Sequence, residues 1–376
     1  MSNKALMRAN TQFACDIFQA LSHETPHINR FISPLSMSLA LAMLYNGADG
    51  QTQQALAQTL QIAGMSLDEV NQTYGLLRHE LDALDPQIQL TLANALWTRQ
   101  GVAFEPNFLQ QCQHHYHAEV LPVDFHDPTT RTQINRWVSD QTQGKIPTIL
   151  NEIHPLTMLI LINAMYFKGN WSKAFNQKST RECPFYLLDG SQKPCSMMFQ
   201  NGSFRYFSDN TVEAIALPYG DERVSMYLFL PAENSNLAAF VRTLTPTNWT
   251  NWMRRFNVRE GNISLPRFKL EYELDLNSVL TALGMGIAFN AQNANFKQMG
   301  LFQENLYVSQ IKHKAFVEVN EEGTEAAAVT AAVMQLTSMM PGPTPFHMTV
   351  DRPFFCAIVD DQTGAMLFMG AIVEPK

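Results

Sequence analysis

Hydrophobic and polar residues alternate with a helical period over the first third of the chain. Apolar residues between 6 and 21 recur every three or four positions, which predicts an amphipathic helix. A second helix is predicted to start after Ser33, with Ser33 as its N-cap and Pro34 at its first position. Ser66 and Glu69 have the spacing of a capping box at the start of a further helix. The N-terminal third is therefore predicted to be mainly helical.

Strand patterns dominate the rest of the chain. Residues 157–169 are almost continuously apolar, as expected of a strand buried on both faces, whereas residues 87–99 alternate like a strand with one buried face. Two long alternating strands are predicted at 262–275 and 306–320. Helices come first and strands later, without a regular βαβ order. This arrangement predicts one α+β domain that spans residues 1–376.

The segment 320–349 fits neither pattern. Residues 324–336 taken alone would be an alanine-rich helix, and three prolines exclude regular structure near the end of the segment. A connection of about 25 residues without evident structure is unusual inside a compact domain and usually has a function. We therefore expect a functional loop here.

Composition and charge exclude several classes of function. The chain is 46% hydrophobic and only 16% charged, which indicates a large core rather than disorder. Its 34 acidic and 26 basic residues give a formal charge of -8, which argues against nucleic-acid binding. No run of 18 apolar residues is present, so no membrane span is predicted.

The N-terminal pattern and the cysteines indicate a reducing compartment. The first helix is amphipathic and lacks the unbroken apolar core of a signal peptide. Five scattered cysteines without CxxC spacing are expected to be free thiols. We therefore expect a cytoplasmic protein, and secretion by an unusual route stays open as an alternative.

The sequence offers no catalytic motif. It contains no GxSxG, GxGxxG, Walker-type loop or HExxH, so we expect neither an enzyme nor a bound cofactor or metal.

Five blocks of sequence follow one another along the whole chain: Phe31 to Ser36, Leu161 to Trp171, Leu265 to Phe268, Glu321 to Ala328, and Arg352 to Phe355 together with Leu367 to Gly370. In this order they resemble the signature blocks of the serpins. The resemblance implies three β-sheets, about nine helices and an exposed reactive-centre loop at about 321–346, all in a single domain.

The resemblance also implies a mechanism, in which the protein is a suicide-substrate inhibitor of a protease. The protease cuts the loop and forms an acyl-enzyme, and the freed loop then inserts into the main sheet and traps the attached protease. Loop insertion in serpins is an established example of strand addition and of the release of stored strain. The alternative is a non-inhibitory serpin that acts as a carrier or chaperone.

The resemblance places a hinge at the start of the loop. A strand buries alternate side chains, and the even-numbered positions from Thr324 to Ala332 carry only small, uncharged residues. Gly323 would provide a flexible pivot, and the one charge, on Glu325, would stay on the outward face. This pattern favours the inhibitor over the carrier. The hinge comprises Glu321, Gly323, Thr324, Glu325, Ala326, Ala327 and Ala328.

Further residues match functional regions of the family. Ser33, Ser36, Asn163 and His313 match the shutter, a polar cluster beneath the main sheet where its strands must part. The alternative is that Ser33 is only a helix cap and His313 only a strand histidine. Trp171 matches the breach at the top of the sheet, or is a core aromatic residue, or both.

The family register places the scissile bond between Thr337 and Ser338, with Leu336, Met339 and Met340 as alternatives. The small and apolar residues before this bond suit elastase-like or subtilisin-like serine proteases, with chymotrypsin-like enzymes as further candidate partners. Papain-like cysteine proteases stay open as targets. Residues 66–84 lack the basic cluster that heparin-activated members of the family carry there, so no heparin site is expected. We expect the protein to be a monomer.

Overall fold

The structure is a computed structural model that describes residues 2–25, 27–101, 103–302, 304–324 and 344–376. Side-chain caps define the starts of two helices, because Ser33 Oγ accepts a hydrogen bond from the Ser36 N–H at 3.2 Å and Ser66 forms the predicted capping box with Glu69. Within the described ranges there are nine α-helices: α1 (Ser2–Glu24), α2 (Pro34–Gly47), α3 (Gly50–Thr59), α4 (Leu67–Asp82), α5 (Pro106–Tyr116), α6 (Thr130–Gln141), α7 (Leu237–Arg242), α8 (Pro246–Met253) and α9 (Asn277–Leu280).

The described residues also form three sheets. The strands are β1 (Arg30–Ile32), β2 (Ile88–Arg99), β3 (Ala103–Phe104), β4 (Glu119–Val123), β5 (Leu159–Asn170), β6 (Arg181–Tyr186), β7 (Gln192–Ser208), β8 (Val212–Tyr219), β9 (Val224–Pro231), β10 (Asn257–Pro266), β11 (Phe268–Asp275), β12 (Gly300–Leu301), β13 (Gln310–Val319), β14 (Gly323–Thr324), β15 (Phe346–Thr349), β16 (Phe354–Asp360) and β17 (Ala365–Ile372).

Two of these sheets make up most of the strand structure. One has nine strands in the order β1-β17-β16-β9-β8-β7-β10-β15, with β6 paired to β7. The second has six strands in the order β11-β13-β5-β2-β4, with β14 paired to β5, and the third contains only β12 and β3. Six of the nine described helices end by Gln141 and most of the strands follow, so the α+β prediction with three sheets and about nine helices is confirmed.

The six-stranded sheet is buried on both faces. Leu161 and Met165 of β5 belong to the main core, whereas Ile162 and Tyr166 pack in a second cluster with Ile134 of α6. The prediction that β5 is doubly buried is confirmed. The prediction of one buried face for β2 is wrong for its second half, because α6 covers the face that the alternation left open.

The strand predicted at 262–275 is in fact two strands in two different sheets. β10 ends at Pro266, and β11 starts at Phe268 in the six-stranded sheet. Proline has no N–H for a sheet ladder, which makes this a natural point for the chain to leave the first sheet. Arg267 lies at the junction, where its backbone N–H donates to the Ser196 carbonyl oxygen at 2.8 Å. No helix in the described ranges has the length and apolar content needed to cross a membrane.

Candidate functional site

The two central strands of the six-stranded sheet, β5 and β13, run parallel to each other. They are paired from Gln310 opposite Ile160 to Phe316 opposite Tyr166, and each has an antiparallel neighbour on its other side. Pairing stops after Tyr166, although β5 continues to Asn170. The two strands therefore part at this end of the sheet and leave room for another strand between them.

The chain turns back into this opening directly after β13. The Asn320 N–H donates to the Gly323 carbonyl oxygen at 2.8 Å, which closes a tight turn. β14 then pairs antiparallel with β5, with Gly323 opposite Asn170 and Thr324 opposite Gly169. The two residues of β14 thus occupy the opening at the C-terminal end of β5, and they run antiparallel to β5.

The turn requires glycine at position 323. Gly323 has a φ of +140°, which residues with a side chain rarely adopt. A Cβ atom there would lie 2.1 Å from the Gly169 carbonyl oxygen and 2.6 Å from the Asn170 Cα atom. Both contacts are with backbone that cannot move aside within the sheet, so any side chain would push β14 away from β5.

An ion pair between the buried Glu321 and the exposed Arg267 holds the residue at the start of this turn. The Glu321 side chain is only 2% exposed, and its Oε2 accepts a hydrogen bond from Arg267 Nε at 2.7 Å. The Thr180 hydroxyl donates to the same carboxylate, and the Phe175 N–H donates to the Glu321 carbonyl oxygen at 2.8 Å. Burial raises the pKa of Glu321, but the hydrogen bonds from Arg267 and Thr180 outweigh this effect and hold the pKa below its usual value. We call Glu321, Arg267 and Thr180 the turn clamp.

Trp171 covers the end of the opening where β14 enters. Its indole Nε1–H donates to the Asn320 carbonyl oxygen at 2.9 Å, and its backbone N–H donates to the Glu322 carbonyl oxygen at 2.9 Å. The ring stacks on Tyr219 with centroids 4.3 Å apart and is 5% exposed. Trp171 is thus both a core aromatic residue and a direct partner of the turn.

Deeper in the sheet, the structure brings Ser33, Ser36, Asn163 and His313 together. All four are completely buried. The Ser33 N–H donates to His313 Nε2 at 3.2 Å, and His313 Nδ1 lies 2.5 Å from Asn163 Oδ1. Asn163 Nδ2 donates to the Ser36 hydroxyl and, at 3.1 Å, to the Ser36 carbonyl oxygen. His313 and Asn163 are directly opposite each other in β13 and β5, so the network joins the two strands that part above it.

The partners of His313 define its protonation. Because Nε2 accepts from a backbone N–H, the ring proton is on Nδ1 and points to Asn163. Burial lowers the pKa of His313 to about 3. The ring is therefore neutral at physiological pH, and a second proton would break the bond with Ser33.

Sequence reasoning missed three participants. Asn94 of β2 is opposite Asn163 and accepts a hydrogen bond from its Nδ2 at 2.5 Å. The signal available for Asn94 was its position on the apolar side of the alternation in β2, between Leu92 and Leu96. Arg267 belongs to one of the serpin-like blocks, which gave it no role, and nothing in the sequence pattern identifies Thr180.

The remainder of the candidate loop connects β14 to β15. Phe346 is already the first residue of β15 and stacks on Tyr206 with centroids 3.9 Å apart, so the loop ends one residue earlier than expected. The predicted hinge residues Glu325, Ala326, Ala327 and Ala328, and the candidate reactive-bond residues Leu336, Thr337, Ser338, Met339 and Met340, lie outside the described residues.

Comparison with known proteins identifies the family. The profile of the family described as Serpin (serine protease inhibitor) matches residues 8–375. The chain is a serpin. Human leukocyte elastase inhibitor is 38% identical over 382 aligned residues, which cover 98% of this chain and 99% of that protein.

Solved structures agree with this assignment. The native state of tengpin, a thermophilic serpin, superposes with a TM-score of 0.89 at 30% identity, covering 98% of this chain and 94% of tengpin. Human thyroxine-binding globulin in complex with thyroxine has a TM-score of 0.91 at 25% identity, with full coverage of both chains. The serpin fold of this chain is thus shared by relatives with different named functions.

Proposed function

We propose that this serpin is a suicide-substrate inhibitor of serine proteases. The observation that carries the proposal is the entry of β14 between two parallel strands, antiparallel to β5. An added strand in that position would have antiparallel neighbours on both sides, and its backbone would gain two sets of sheet hydrogen bonds. The native sheet is thus ready to accept the rest of the loop once the loop is cut.

The register of β14 supports the proposed hinge face. Residues directly opposite each other in a sheet share a face, and Thr324 is opposite Gly169, two positions along from Phe167. Phe167 packs in the main core, so the even-numbered loop residues would turn toward that core on insertion. These residues are Thr324, Ala326, Ala328, Thr330 and Ala332, all small and uncharged.

Continuing the same register brings the loop to the shutter. One-for-one pairing along β5 places Thr330 opposite Asn163, and Glu325 opposite Lys168 on the other face. Full insertion would therefore separate Asn163 from His313, whose 2.5 Å contact is part of the closed network. We propose that this network keeps the native sheet closed and that its rearrangement accompanies insertion.

The reaction with the protease supplies the trigger. The protease serine attacks the Thr337 carbonyl carbon, and the amine of Ser338 leaves with the protease's proton. The Thr337 carbonyl then forms an ester with the serine oxygen, and insertion of residues 324–337 removes this ester from the geometry in which water can hydrolyse it. The native chain is therefore a kinetic trap rather than the most stable state.

The protease class follows from the residues before the proposed bond. Val333, Met334, Leu336 and Thr337 are small or apolar and suit a shallow apolar pocket. The relative named leukocyte elastase inhibitor supports an elastase-like target over subtilisin-like or papain-like enzymes. We also propose that the protein is a cytoplasmic monomer and that heparin does not activate it. Heparin is an anion and would need a basic surface, but on α4 Arg78 is paired with Asp82 at 3.0 Å, and the helix carries three further carboxylates, those of Asp68, Glu69 and Glu80.

A denaturing gel tests the proposal. Mixing the protein with pancreatic or neutrophil elastase should give an adduct that survives boiling in detergent, and mass spectrometry should find the released fragment 338–376. Active-site-blocked elastase is the control and should give no adduct. Degradation by elastase, subtilisin and chymotrypsin without any adduct would contradict the inhibitor and favour the carrier, as in the relative that binds thyroxine.

A further inference from the structure

Two cysteines that do not have CxxC spacing lie opposite each other on neighbouring strands. Cys183 of β6 is directly opposite Cys195 of β7 in an antiparallel pair. Directly opposite residues point to the same face, so the two thiols are neighbours. Both are free in the structure, and the pairing is absent from the linear sequence pattern because eleven residues separate them.

The adjacent prolines fix the geometry of this pair. Pro184 is opposite Pro194, and a pair without N–H groups cannot be a hydrogen-bonded pair. Antiparallel pairs alternate, so Cys183 and Cys195 form a hydrogen-bonded pair. The Leu187 N–H agrees with this alternation, since it donates to the Ser191 carbonyl oxygen at 2.8 Å.

This geometry permits a disulfide with some strain. Cα atoms of a hydrogen-bonded pair are about 5.5 Å apart, inside the range that disulfides adopt. Their Cβ atoms are about 5.5 Å apart, the wide end of the range for opposite residues, and must approach to about 4 Å for the bond to form. Strained disulfides are more readily reduced, so the bond should form and break within the redox range of a thiol buffer.

We propose that Cys183 and Cys195 are a redox-active dithiol that a small disulfide oxidant, such as glutathione disulfide, converts to an intramolecular disulfide. Cys183 is partly exposed and Cys195 is 9% exposed, so Cys183 meets the oxidant first. Its thiolate attacks one sulfur of glutathione disulfide and releases one glutathione. The Cys195 thiolate then attacks the Cys183 sulfur and releases the second glutathione. Two protein thiols are oxidised, one glutathione disulfide is reduced, and the two thiol protons end on the two released glutathiones.

The pairing of β6 with β7 favours closure over a stable mixed disulfide. Burial, followed by the nearness of Cys183, raises the pKa of Cys195, which keeps its thiol protonated and leaves Cys183 as the first thiol to react. After a mixed disulfide forms on Cys183, the ladder between β6 and β7 keeps the Cys195 side chain directly beside it. The remaining cysteines, Cys15, Cys112 and Cys356, are all buried.

The hairpin that carries the pair also touches the turn clamp. β6 starts one residue after Thr180, whose hydroxyl binds Glu321. Ser196, next to Cys195, accepts the backbone hydrogen bond of Arg267 at 2.8 Å. The proposed disulfide would therefore link β6, which follows Thr180, to β7, which binds the backbone of Arg267 through Ser196.

Mass spectrometry of the oxidised full-length protein tests the proposal. Trypsin leaves both cysteines in one peptide, 182–205, because Lys193 precedes a proline. After exposure of the reduced protein to glutathione disulfide and alkylation in denaturant, this peptide should lack two hydrogens and carry no alkyl group. Cleavage at Asp189 should leave its halves joined until a reductant is added.

Two variants complete the test. Cys195→Ser should stop at a mixed disulfide with one glutathione on Cys183, and Cys183→Ser should leave Cys195 unmodified under the same conditions. In the wild type, a persistent glutathione adduct, a disulfide between two chains, or complete alkylation of both residues would each overturn the proposal. The wild-type result decides the question even if a variant does not fold.

Discussion

Acidification should weaken the native state of this serpin through His313. The ring is fully buried, and its pKa of about 3 lies well below the value of about 6.5 expected in the unfolded chain. The folded state thus resists protonation, while the unfolded state takes up a proton as the pH falls. The contribution to stability is complete above pH 6.5 and is lost as the pH falls from there toward 3.

The size of the effect follows from these two pKa values. Between pH 7 and pH 5, the free energy of unfolding should fall by about 2 kcal/mol through His313, and between pH 7 and pH 3 by about 4 kcal/mol. The replacement His313→Gln keeps a donor and an acceptor but cannot be protonated. It should remove this part of the pH dependence whatever its effect on stability at pH 7.

Urea unfolding followed by tryptophan fluorescence at pH 7 and pH 5 measures this difference. The loss of stability between the two pH values should be about 2 kcal/mol larger for the wild type than for His313→Gln. The other nine histidines are the same in both proteins, so their contributions cancel in the comparison. An equal loss in both proteins would refute the buried, neutral His313 as the source of the pH dependence.

Three further substitutions test the turn, the hinge face and the register. Gly323→Ala should destabilise the native state by at least about 1 kcal/mol in urea, whereas Gly364→Ala, also at positive φ but with open space around it, should cost less; equal losses would mean that contact with β5 is unimportant. Thr324→Arg should convert the inhibitor into a substrate by burying a cation, while Glu325→Arg on the opposite face should retain adduct formation; loss of adduct in both would contradict the proposed faces. Thr337→Arg should create a trypsin inhibitor, because the loop has no lysine or arginine between residues 315 and 351; trypsin trapping by the wild type would contradict the proposed specificity.

Local chemistry explains why much of the fold was predictable. The capping box at Ser66, the proline start of α2 and the apolar run of β5 each depend on residues close in sequence, and all three predictions are confirmed. The resemblance to serpins added the long-range information that periodicity lacks. It selected Ser33, Ser36, Asn163 and His313, which the fold then brings into contact.

The errors and omissions have a common physical origin in long-range pairing. Arg267 and Glu321 are 54 residues apart, and no periodic pattern connects them. The break between β10 and β11 depends on which sheet each half joins, and Pro266 was its only local sign. The face of β2 covered by α6 was likewise invisible to a pattern that reads one strand at a time.

A crystal structure of the loop-cleaved protein would test the central claim most directly. Cleavage in the loop without a bound protease should yield a form in which residues 324–334 lie between β5 and β13, antiparallel to β5, with Thr330 opposite Asn163. The contact between Asn163 and His313, 2.5 Å in the native sheet, should then be broken. If β5 and β13 were still paired from Ile160 with Gln310 to Tyr166 with Phe316, and the cut loop lay outside the sheet, insertion as the basis of inhibition would be contradicted.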